Sequence, residues 1–151
     1  MAGGGGSTPP QTWVCGDNLI DGSEQYMTME DHAYCLMIQN LVRSSNNRRC
    51  YGDIKQNCID FGGLYAYKDK DSLCPSGWRL PKDPDDTGLF EALVNIKEQG
   101  FIGYFDTKEY KNDKKYLMLD SETLVLEDNG KAVNIPVPNS SVAVRCIKEL
   151  Y

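Results

Sequence analysis

The chain has 151 residues, 40% of them hydrophobic and 25% charged, which is enough apolar material for a core of its own. A formal net charge of −6 excludes a protein built to neutralise phosphates, because nucleic-acid recognition needs clustered Lys and Arg. No apolar run approaches the ~18 residues that span a bilayer, so no transmembrane segment is expected.

Residues 1–10 hold four glycines, Ser7, Thr8, Pro9 and Pro10 and no apolar signal region. They read as a flexible linker, native or artificial, that stiffens toward the domain. Such a tether suits display at a distance from an anchor, for instance a lipid-modified cysteine upstream. Residues 11–151 are read as one domain.

Residues 11–15 read as a brief strand around Trp13. Thr28-Met29-Glu30-Asp31 resembles a capping box, and Ala33, Leu36, Met37 and Leu41 recur near helical spacing, predicting a first helix near 29–42. A second short helix is expected over 53–61, closed by Gly62-Gly63. Strands follow at 64–67 and 78–80. Thr87 is a plausible N-cap for a third helix that Gly100 ends. The later segments 101–105, 115–119, 123–127, 131–135 and 142–147 are rich in β-formers, with Asp128-Asn129-Gly130 a hairpin signal between two of them. Helices early and an antiparallel sheet late predict an α+β fold.

Six cysteines with wide, irregular spacing and no C-x-x-C point to disulfides and an oxidising, extracellular setting. His32 is the only histidine, so a zinc site of Cys and His is poorly supplied. Spacing alone leaves the cysteine connectivity open.

The motifs Gln11-Thr12-Trp13 with Asn18-Leu19, Cys50-Tyr51 with Asn57-Cys58, Gly63-Leu64-Tyr65, Cys74-Pro75-Ser76-Gly77-Trp78-Arg79-Leu80-Pro81 and Val144-Arg145-Cys146 occur in one order. Together they resemble the Fibrobacter succinogenes major paralogous domain, over residues 11–148. The resemblance implies a disulfide-stapled C-type-lectin-like fold, shared with formylglycine-generating enzymes, and an exported or lipid-anchored bacterial surface protein. It also implies the pairs Cys50–Cys58 and Cys74–Cys146, leaving Cys15–Cys35. Two departures stand out. The stretch from Asn18 to Cys50 is longer than the family pattern, and a Trp- and Ser-rich run after Phe105 is replaced by a Lys-rich one.

Little in the chain points to catalysis. A Ser or Cys nucleophile needs a base, usually His, and the thiol nearest His32 in sequence, Cys35, is assigned to a disulfide. Paired carboxylates are numerous but none is singled out, so no catalytic residue and no enzyme is expected. The carboxylates Asp69, Asp71, Asp83, Asp85 and Asp86 flank the motif at 74–81 and could supply oxygen ligands to calcium, with a solvated acidic loop as the plainer reading. Tyr104, Tyr110 and Tyr116 are candidates for a glycan-binding face, against half-buried strand positions. Arg43, Arg48 and Arg49 read as a solvated basic loop. The expected function is a non-catalytic surface module that binds a glycan, polysaccharide or surface protein. A protein-docking subunit is the alternative, and a carbohydrate-active enzyme a distant third.

Overall fold

The computed structural model describes residues 12–45, 47–82, 115–127, 131–136 and 141–150. The third helix, the strand at 101–105 and the hairpin turn at 128–130 lie outside them. In chain order the elements are β1 (Leu19–Asp21), β2 (Glu24–Tyr26), β3 (Thr28–Asp31), β4 (Tyr34–Met37), a 3-10 turn (Tyr51–Asp53), α1 (Lys55–Phe61), β5 (Tyr65–Ala66) and a second 3-10 segment (Tyr67–Ser72). They are followed by β6 (Lys115–Met118), β7 (Thr123–Leu126), β8 (Ala132–Ile135), β9 (Ser141–Val142) and β10 (Ile147–Glu149). The result is a mixed fold of small antiparallel sheets with few helices, held by three disulfides.

The helix expected near 29–42 is not formed; the segment is the hairpin β3–β4, in register from Thr28↔Met37 to Asp31↔Tyr34. The reason lies in what covers it. β4 is the middle strand of the sheet β10–β4–β3, with apolar clusters on both faces. Cys35 and Met37 enter the larger cluster, and Leu36 enters the smaller one. A strand buried on both faces shows no alternation, so its apolar run mimics helical spacing. The Thr28 hydroxyl caps nothing. It accepts from the Gly16 N–H at 2.9 Å and donates to the Asp17 carbonyl at 2.7 Å. His32, expected on a helix, sits in the hairpin turn at φ 54, its Nδ1 3.1 Å from an Asp31 carboxylate oxygen. Residues 12–14 are not a strand either; Cys15 makes only an isolated bridge to Asp17.

The second helix is present as α1, and Gly62 ends it at φ 84, its N–H bonded to the Cys58 carbonyl. Of the late strands, β6, β7 and β8 form an antiparallel meander in which Tyr116 pairs with Val125 and Leu126 with Ala132. The strand expected at 142–147 is divided because its residues serve different neighbours. Val142 pairs with Tyr65, Ala143 bridges Leu117 in parallel, and Ile147 pairs with Leu36 on one side and Arg79 on the other.

The disulfides are Cys15–Cys35, Cys50–Cys58 and Cys74–Cys146, the three pairs that the resemblance implies. The motif at 74–81 is a clamp on the end of the chain. Cys74 is bonded to Cys146, Arg79 and Ile147 exchange both backbone hydrogen bonds at 2.8 and 2.7 Å, and Trp78 meets Trp13 edge-on at 5.8 Å. Arg79 reaches on to the Glu149 carboxylate at 2.5 Å, which holds that carboxyl below its ordinary range.

Candidate functional site

An open cleft formed by described residues, about 640 Å³ in volume, lies between β2, the segment 39–44 and α1. That volume falls within the range of about 300–1,000 Å³ typical of ligand clefts. β2 supplies Glu24, Gln25 and Tyr26, the facing segment supplies Gln39, Val42 and Ser44, and α1 supplies Lys55 and Ile59. Arg48 and the Cys50–Cys58 disulfide complete the wall.

Local bonding fixes these walls. Gln39 Oε1 accepts from the Met27 N–H at 2.9 Å, which leaves the amide nitrogen of that side chain available as a donor. The Val42 N–H donates to the Tyr26 hydroxyl at 3.0 Å, and Arg48 donates to the Val42 carbonyl at 2.6 Å. Burial pushes the Tyr26 phenol up to about 12, against the opposing pull of the Val42 N–H, so it is neutral at physiological pH. Behind the wall, burial likewise raises Tyr65, whose hydroxyl donates to the Arg43 carbonyl at 2.6 Å.

Beneath the cleft lies a buried polar junction. Asn40 donates to the Phe61 carbonyl at 2.8 Å and accepts from Nε of Arg145 at 2.8 Å. Arg145 is 1% exposed, so the arginine of the Val144-Arg145-Cys146 motif is an interior group. A buried guanidinium is costly unless it is hydrogen-bonded, and Asn40 supplies one such bond.

Within the basic cluster Arg43 is a structural group, while Arg49 stays exposed as a solvated loop would have it. Arg43 forms a two-pronged pair with Asp21 at 2.8 and 2.9 Å and also donates to the Ser72 and Leu73 carbonyls. The Asp21 hydrogen bond raises the guanidinium further above its ordinary value. Arg43 thereby ties the β1–β2 hairpin to the loop before Cys74. Arg49 pairs with Asp53 at 3.4 Å.

Of the glycan-face candidates, Tyr104 and Tyr110 lie outside the described residues. Tyr116 is 8% exposed and packs in the larger core with Met118 and Val125, so its ring is not offered to a ligand. Of the calcium candidates, Asp83, Asp85 and Asp86 lie outside the described residues. Asp69 accepts from Asn47 at 3.1 Å, and Asp71 lines a separate hollow of about 170 Å³ with Lys70, Lys82 and Asp120. Lys70 donates to the Asp120 carboxylate at 3.0 Å, which raises its pKa, and to the Asp120 backbone carbonyl at 3.0 Å, where Tyr67 also donates. Among the described residues, no group of three or more His, Cys, Asp or Glu is placed to hold a metal.

The cleft residues were missed because Gln25, Gln39, Lys55 and Ile59 are ordinary residue types scattered along the chain. The one local signal was Ile59 itself, an apolar residue that follows a cysteine in a helix too short to bury every side. No family model, no curated protein and no solved structure matches this chain.

Proposed function

We propose that this chain is a non-catalytic binding or adhesion module of an exported, surface-displayed protein, built on a C-type-lectin-like scaffold of the major paralogous domain type. The observation that carries it is the cleft between β2 and α1. Its walls are pinned by a disulfide and by side-chain bonds to backbone, while amide, ammonium and carboxylate groups face the opening. Three intramolecular disulfides fit an oxidising compartment. Among the described residues, no helix is long and apolar enough to cross a membrane.

The ligand is a glycan, a polysaccharide or a surface protein. Tyr26 is the only aromatic residue lining the cleft among those described, and its hydroxyl already accepts from Val42. Sugar recognition there would rest on amides and charges without a flat ring to stack on. No catalytic role is assigned: all six cysteines are in disulfides, and His32 stands on an exposed hairpin tip beside Asp31.

The test is to present the oxidised protein to arrayed glycans, polysaccharides and extracellular proteins, alongside Lys55→Glu. Binding that the wild type shows and the variant loses, with unchanged melting, is the expected result. Binding to none of them, or binding indifferent to Lys55→Glu, would overturn the proposal.

A further inference from the structure

β2 meets the cleft edge-on. Successive side chains of a strand point to opposite faces, yet Glu24, Gln25 and Tyr26 all line the same opening. Only the edge of a strand touches three consecutive residues. β1, paired along the other edge, contributes no lining residue.

The register says which backbone groups face that opening. The β1–β2 hairpin turns through Gly22-Ser23, with Gly22 at φ 63, and is closed by the pair Asp21↔Glu24. In a two-residue hairpin the closing pair is hydrogen-bonded, so the next pair, Ile20↔Gln25, is not. The Gln25 N–H and C=O therefore point away from β1 and into the cleft. Among the described residues, no other backbone group takes up either one.

We propose that an extended segment of a partner polypeptide adds to β2 along this edge, and this rests on the reading of the chain as a binding module. A donor and an acceptor from one residue, presented side by side on a strand edge, complement one residue of another extended chain. The far wall sets the character of that segment. Arg48 and Lys55 are its positive groups and call for a carboxylate, while Ile59, 67% exposed, offers an apolar contact. The same wall limits the occupant. The chain's own 39–44 segment and α1 stand across the open cleft from β2, which favours a single extended strand over the sheet edge of a second folded copy.

The experiment pans the oxidised protein against a displayed library of random dodecapeptides and measures the enriched peptides in solution. Gln25→Pro removes the N–H that faces the cleft without removing a bond to β1, and proline is tolerated at strand edges. Gln25→Ala keeps the backbone edge and deletes the side chain. The expected peptides carry an acidic and an apolar residue, lose about tenfold or more in affinity to Gln25→Pro and lose several-fold less than that to Gln25→Ala. Should Gln25→Pro fail to fold, methylation of the peptide's backbone nitrogens one at a time replaces it, and loss at alternate positions is expected.

Peptides indifferent to both changes would overturn the proposal. So would a wild-type dimer abolished by Gln25→Pro, which would make a second copy the occupant. Glycan binding lost in Lys55→Glu with no peptide enriched would sink strand addition while leaving the binding module standing. Neither glycan nor peptide binding would sink both.

Discussion

Gly62 follows α1 at φ 84, and a Cβ built on it would lie 2.4 Å from the Cβ of Asn40 and 3.1 Å from the Asn40 carbonyl. The Gly62-Gly63 pair was legible as a helix stop, because glycine accepts the positive-φ conformations that end helices. Its second duty was not legible, since Asn40 is distant in sequence and the approach exists only in the folded chain. That approach lets Asn40 reach both the Phe61 carbonyl and Arg145. Gly62→Ala therefore meets a steric wall as well as an unfavourable φ, whereas at Gly22, φ 63, an added methyl would have nothing within 4 Å. We expect Gly22→Ala to cost about 1 kcal/mol and Gly62→Ala about 3 kcal/mol or more in denaturant unfolding. Equal losses would mean that the Asn40 contact relaxes without cost.

At the scale of elements, legibility followed burial. α1 was readable from its own residues and its glycine stop, and the late meander from β-forming composition. The β3–β4 hairpin was not, because β4 is covered on both faces and its turn carries His32 rather than a glycine or asparagine. A histidine at φ 54 stands where an L residue costs roughly 1–2 kcal/mol. The turn holds it because the registers Asp31↔Tyr34 and Glu149↔Tyr34 fix both sides of β4. His32 is exposed and its contact with Asp31 is at the surface, so little is lost with the ring. His32→Gly should raise stability by about 0.5–1 kcal/mol, the relief of strain exceeding the added freedom of the unfolded chain. Thermal and urea unfolding read this directly, and a lowered midpoint would show that the ring does more in the turn than the geometry indicates.

For the molecule as a whole, several of the motif residues are those that fasten the chain together. Cys74, Trp78 and Arg79 clamp the last strand, and Arg145 joins Asn40 beneath the cleft, whereas the cleft takes from the motifs only the Cys50–Cys58 disulfide and is otherwise lined by residues with no motif. A cross-link acts mainly on the unfolded chain, and its effect grows with the loop it closes. The separations here are 8 residues for Cys50–Cys58, 20 for Cys15–Cys35 and 72 for Cys74–Cys146. The chain-entropy relation then gives about 2–3, 3 and 4 kcal/mol respectively. Burial sharpens the ranking, because Cys146 is fully enclosed in the larger core and its loss also unlocks the Arg79–Ile147 pairing. Replacing each pair by alanines, and measuring melting under oxidising conditions, should give the largest fall for Cys74–Cys146 and the smallest for Cys50–Cys58. The same order should hold for the single variants Cys146→Ser and Cys50→Ser. Equal falls for the longest and shortest loops would show that these bonds stabilise through local native contacts instead of through the chain they close.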